Sequence, residues 1–113
     1  MSVEDPLIIL ASGNAADTVD VGLYAKYVES ATTKYAGMFR DASVSGDPWV
    51  FFDGLQAAPT TTVNTSGTGY DLADISAGKI TSADGFDGTI LTASQTNITG
   101  VGTIVQVLGL LQM

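Results

Sequence analysis

The last 26 residues of this chain, Gly88 to Met113, contain no charged side chain and no Pro. Strand formers dominate them: Thr89-Ile90-Leu91-Thr92 and Val101-Gly102-Thr103-Ile104-Val105 both have strand character, separated by Ala93 to Gly100. A strand of this kind at a sheet edge offers unpaired N–H and C=O groups to any other strand, and natural monomers blunt such edges with Lys, Pro or bulges. This segment has neither Lys nor Pro. Two arrangements satisfy it: an inner strand of a monomeric sandwich, or pairing with identical chains in a closed symmetric assembly. The assembly is the expectation here. At about 25 cal/mol per Å² of buried apolar area, a few Leu, Ile and Val side chains per chain stabilise it appreciably. Thr and Asn add hydrogen-bonded ladders between chains. The residues expected at that interface are Ile90, Ile98, Val101, Ile104, Val105, Val107, Leu108, Leu110 and Leu111.

Upstream the character changes. Eight of the nine aromatic residues lie between Tyr24 and Tyr70. Composition places a boundary between Thr60 and Asp84, and the expected division is an aromatic-rich β-meander module at 1–58 and a Thr/Gly-rich extended β oligomerisation segment at 59–113. The chain of 113 residues is long enough for one small core. Charged residues make up 14 %, against about 25 % in ordinary domains. Thirteen Gly and abundant Thr favour strands and tight turns. With 45 % hydrophobic residues, disorder is not expected.

Within the first module, Val19, Val21, Leu23, Ala25 and Tyr27 alternate with Asp20, Gly22, Tyr24 and Lys26, which is the period of a half-buried strand over Asp17–Val28. Glu29–Thr33 has hairpin-loop length. Lys34–Asp41 is the partner strand, with Tyr35 and Phe39 on one face and Met38 on the other. Ser45-Gly46-Asp47-Pro48 is a turn, and Trp49–Phe52 a third strand stopped by Asp53-Gly54. Leu7–Leu10 is expected as a short entry strand. Aromatics on both faces of the third strand require cover from a second sheet or from neighbouring subunits. Further on, Pro59–Val63 is extended, Asn64–Gly69 a turn cluster, and Tyr70–Ile75 either one helical turn or a short strand.

Several function classes lose their chemistry. The net charge of −8 disfavours nucleic acid and anionic membrane surfaces, and its plain reading is solubility. Without Cys there is no disulfide framework and no thiolate metal site. Without His the commonest general base and neutral metal ligand are missing. No His can activate a Ser, no spacing points to a Ser-Lys pair, and a carboxylate pair is only arithmetically available. No enzyme activity and no cofactor are expected. Leu7–Leu10 is too short for the apolar core of a signal peptide, and Ile104–Leu111 is too short to cross a bilayer. Asp84-Gly85-Phe86-Asp87-Gly88 lacks the ligand density of a calcium loop and reads as turns; Asp71 and Asp74 are equally unspecific. No metal site is expected. Asn64-Thr65-Ser66 and Asn97-Ile98-Thr99 fit the glycosylation pattern, which occurs often by chance. Tyr24, Tyr27, Tyr35 and Trp49 are the candidate ligand surface, for sugar stacking, against the plainer reading of core or interface aromatics. Arg40, between Phe39 and Asp41, is expected to pair with a carboxylate, within the chain or across a subunit boundary.

Leu91-Thr92-Ala93-Ser94-Gln95-Thr96-Asn97-Ile98-Thr99-Gly100-Val101-Gly102-Thr103-Ile104 resembles a segment common in phage tail fibres and related viral structural proteins. Its theme there is Gln-Thr/Pro-Asn-Ile-Thr-Ser-Val-Gly-Thr-Leu; Gly100 stands here for the usual Ser and Ile104 for the usual Leu. Val19–Tyr27 through Lys34–Ala42, with Phe51–Leu55, resembles a module of the same proteins. The resemblance covers about two thirds of the chain and implies an intertwined homotrimer with β-prism or β-helix-like segments about a threefold axis. These motifs are structural, so they speak to architecture before activity. The combined expectation is an all-β chain and a virion structural protein. It would be a trimeric fibre, spike or capsid-decoration module on the virion exterior, partnered by other virion proteins and by a host glycan or receptor. The alternative is a glycan- or receptor-binding β module.

Overall fold

A computed structural model describes residues 2–89, 91, 99, 100 and 102. Among them there is no helix, and four antiparallel strands form one sheet in chain order. They are β1 (Val21–Glu29), β2 (Thr32–Arg40), β3 (Trp49–Leu55) and β4 (Asp71–Leu72). The chain divides into two compact units between Ala77 and Gly78. All four strands belong to the first.

The β1–β2 hairpin is tighter than the expected five-residue loop. Glu29 pairs with Thr32, leaving only Ser30 and Ala31 between the strands. Both have positive φ, 49° and 62°, the backbone of a type I′ turn whose twist matches that of the strands. The usual Asn-Gly signal is missing, so the sequence gives no warning of it.

β3 runs past Asp53-Gly54, where the sequence suggested a stop. Tyr35 pairs with Leu55 and Gly37 with Phe52, so two steps along β2 meet three along β3. The extra residue is a bulge with Gly54 at φ +73°. Its effect on packing is direct. In a regular strand Phe52 and Leu55 would point to opposite faces; the bulge resets the alternation and both become buried, each 1 % exposed. Tyr27 reaches across to accept a hydrogen bond from the Gly54 N–H at 3.0 Å, which satisfies the amide that the bulge removes from the ladder. A Cβ on Gly54 would collide with the Gly69 carbonyl.

The core lies on one face of the sheet. Phe39, Phe52 and Leu55 form it, with Tyr35, Val50, Val63 and Tyr70 packed around. Phe39 meets Phe52 edge-on with ring centroids 5.5 Å apart, and Tyr70 stacks on Phe52 at 5.9 Å; both are favourable aromatic geometries. The cover comes from residues 56–70, which belong to the first unit. Gln56 N–H donates to the Thr68 carbonyl, and Asn64 organises a turn through its side chain to Ser66 and its carbonyl to Gly67. Asp20 fastens this cover. Its Oδ2 accepts from the Val63 N–H at 2.8 Å, its Oδ1 from the Ala42 N–H at 3.0 Å, and its own N–H donates to the Thr61 carbonyl. Pro59–Val63 therefore lies beside β1 and over the core without joining the ladder. Tyr70–Ile75 resolves as a strand, Asp71–Leu72 pairing with Asp53 and Phe52.

Leu7–Leu10 does not form the expected entry strand. Strand propensity alone is insufficient where no edge pairs with it. Thr89–Thr92 and Val101–Val105, and with them the expected oligomer-interface residues Ile90, Ile98, Val101, Ile104, Val105, Val107, Leu108, Leu110 and Leu111, lie outside the described residues, apart from Thr89, Leu91 and Gly102.

Candidate functional site

The face of the sheet opposite the core is the candidate site. Strand alternation and register place its side chains in rows: Val21–Arg40–Trp49, Leu23–Met38–Phe51, Ala25–Ala36 and Tyr27–Lys34. The middle of this face is apolar and open. Leu23 is 61 % exposed, Phe51 43 % and Met38 36 %, with Trp49 beside them at 55 %. Nothing among the described residues covers them. Gly37, in the centre of β2, approaches the Leu23–Tyr24 backbone so closely that a Cβ there would collide with it.

Leu23, Ala25, Ala36, Met38 and Phe51, together with Tyr24 and Gly37, line a shallow depression of about 420 Å³. That volume falls in the range of small-molecule sites, yet Tyr24 is the one lining residue with a hydrogen-bonding side chain, and its hydroxyl donates to the Pro59 carbonyl. The chemistry of the depression is that of a surface that packs against another apolar surface.

Charge is confined to the two ends of the face and is paired there, with a carboxylate in excess at the Arg40 end. At one end the Arg40 guanidinium holds Asp17 through contacts of 2.6 and 3.2 Å and Asp47 at 3.0 Å. The expected carboxylate partner is thus found within the chain. This pairing holds the Asp17 carboxyl below the usual carboxylate range and raises the guanidinium. At the other end Lys34 donates to Glu29 at 2.6 Å, lowering the Glu29 carboxyl and raising the ammonium. Both cations thus have carboxylate partners at the ends of the face, away from its apolar centre.

The four aromatics named from the sequence do not share one surface. Tyr24 and Tyr35 stand on the core side, edge-on to each other at 5.9 Å, and Tyr24 donates to the Pro59 carbonyl at 3.5 Å. Tyr27 and Trp49 stand on the open side. The sequence alternation already separated Tyr24 from Tyr27; what it could not supply was which face the 56–70 segment would cover. It also missed Phe51 and Met38 as members of the open face, although their parity was legible.

Other features have structural employment. A second cleft of about 80 Å³ lies between β1 and Pro59–Val63, and both oxygens of the carboxylate lining it, Asp20, are already taken by backbone amides. Asp41, 4 % exposed, accepts from both the N–H and the hydroxyl of Ser43. Burial pushes the Tyr70 phenol up, with the Asp41 carboxylate adding to the effect. In the Asp84–Gly88 turn Ser82 donates to the Gly85 carbonyl. Among the described residues no three His, Cys, Asp or Glu side chains gather as metal ligands. Also among them, no helix is long and apolar enough to cross a membrane.

Comparison with protein-family models, with curated proteins and with solved structures finds no match to this chain.

Proposed function

We propose that this chain is a virion structural protein, a module of a fibre, spike or capsid decoration that works as a homotrimer in assembly. The observation that carries the reading is the open apolar face Leu23–Met38–Phe51 on a sheet whose other face already holds the core. An exposed apolar patch whose flanking cations are already ion-paired marks a protein contact. The charge-free stretch Gly88–Met113 supports the same reading, since it too calls for strand or apolar partners. The viral assignment rests on the resemblance of Leu91–Ile104 and Val19–Leu55 to tail-fibre modules. Multi-angle light scattering of the full chain at micromolar concentration tests it: a mass of three times 11.6 kDa is expected. A monodisperse mass of one chain would remove the oligomer and with it the fibre reading.

A glycan-binding role finds less support. Tyr24 and Tyr35 face away from Tyr27 and Trp49, so the four offer no common platform for a sugar ring. Saturable binding on a glycan array, lost in Trp49→Ala, would favour that role instead.

A further inference from the structure

The first unit carries a second apolar surface without a partner. Leu7, Ile8, Ile9 and Leu10 are consecutive, and they are 85, 60, 77 and 40 % exposed. Such a run of large apolar side chains is unlike the scattered exposed Leu or Ile of ordinary surfaces. Its position in the fold is defined. Ala11, at φ 53°, accepts from the Asn14 N–H in a turn, and a few residues later Asp17 is clamped to Arg40. Arg40 stands in the end row of the open face. The run therefore departs from the rim of that face without covering it, since Leu23, Phe51 and Trp49 remain exposed in the same molecule.

Two different apolar surfaces on one chain that do not meet make a heterologous contact, which propagates from copy to copy and closes when the rotation allows. We infer that Leu7–Leu10 of one copy docks on the open face of the next, over Leu23, Ala25, Ala36, Met38 and Phe51. This deepens the proposed homo-oligomer and rests on it.

The areas favour this occupant over a two-fold contact of the face with itself. At about 100 Å² per fully exposed aliphatic side chain, the run offers about 300 Å² of apolar surface. The exposed parts of Trp49, Phe51, Leu23 and Met38 offer about the same. One junction of either kind then buries about 600 Å² of apolar surface, or about 1,000 Å² in all once the polar share is added, which is the floor for a specific interface. Face against face stops there. Head-to-tail contact uses both surfaces of every copy, so closure doubles the area each chain buries.

The absence of Cys makes the test clean. The single variants Ile9→Cys and Phe51→Cys are purified, mixed and oxidised. A cross-linked pair in the mixture, and none in either variant alone, is the expected result. The double variant should form covalent oligomers of the native mass. Separately, Ile8→Ser with Ile9→Ser changes only exposed positions. It should leave the circular dichroism unchanged and weaken association by about 100-fold in dilution measured by light scattering. A monomeric unmodified chain would overturn both the homo-oligomer and this contact. An oligomer that keeps its mass and affinity in the Ser variant, or in which Phe51→Cys cross-links only to itself, would overturn the contact alone.

Discussion

Replacing Asp20 tests whether residues 56–70 are an integral cover of the sheet. Asp20 is half-buried and its carboxylate accepts two backbone N–H groups, from Ala42 at 3.0 Å and Val63 at 2.8 Å. Each charge-assisted hydrogen bond of this kind contributes about 1.5–3 kcal/mol. Losing both in Asp20→Ala, with some rehydration of the partly buried amides, should cost about 3 kcal/mol. That is a large share of the roughly 5–15 kcal/mol available to a small domain. It corresponds to a fall in Tm of about 12–24 °C. Asp20→Asn keeps one acceptor oxygen and turns a donor toward the other amide, so it should recover at most about half of the loss. Urea unfolding followed by circular dichroism, at one fixed protein concentration because association contributes to stability, gives the values. Limited proteolysis gives the location: cleavage between Gln56 and Tyr70 should accelerate in Asp20→Ala. A loss below about 1 kcal/mol, or a full loss with no new cleavage there, would refute the role assigned to Asp20.

Three further outcomes follow from the strands. Ser30→Asn with Ala31→Gly supplies the residues that a type I′ turn prefers at φ 49° and 62°; it should stabilise the hairpin by about 1–2 kcal/mol in urea unfolding. Gly54→Ala meets both the left-handed backbone penalty and the Gly69 carbonyl, and should cost more than about 2 kcal/mol. Gly46→Ala, at φ 89° with open space around it, should cost only about 1 kcal/mol; equal losses at the two sites would contradict the bulge packing. The Arg40 clamp sets a pH dependence. Because Asp17 titrates below its ordinary range when folded, its contribution is fully present above that range and is lost as pH falls through the lowered value. The stability difference between the unmodified chain and Asp17→Asn should accordingly vanish in acid, and a difference that persists there would point to a contact other than charge.

The all-β meander was legible because alternation is a short-range property: Val21, Leu23 and Ala25 against Gly22, Tyr24 and Lys26 fixed β1 and its two faces. What depended on distant residues was not legible. Nothing near Gly54 says that an extra residue there brings Leu55 under Tyr35, or that Tyr27 will cap the bulge from two strands away. Ser30-Ala31 carries no turn signal, so the hairpin looked longer. Leu7–Leu10 has the composition of a strand, but β1 is flanked at its start by Thr61 and Asp20 bonding instead. The open face was half legible. Aromatics on both sides of β3 announced that one side needed a partner, while the choice of side depended on where Val63 and Tyr70 came to rest.

Trp49 reports directly on whether copies of the chain cover the open face. It is the only Trp, sits in the end row of that face and is 55 % exposed in the single chain. Its fluorescence in the full-length protein should shift to shorter wavelength at micromolar concentration and return to the emission of a solvated indole on dilution, with Leu23→Ser and Phe51→Ser moving the transition to higher concentration. Solvated emission at every concentration, unchanged by those substitutions, would contradict the claim that this face is buried between copies.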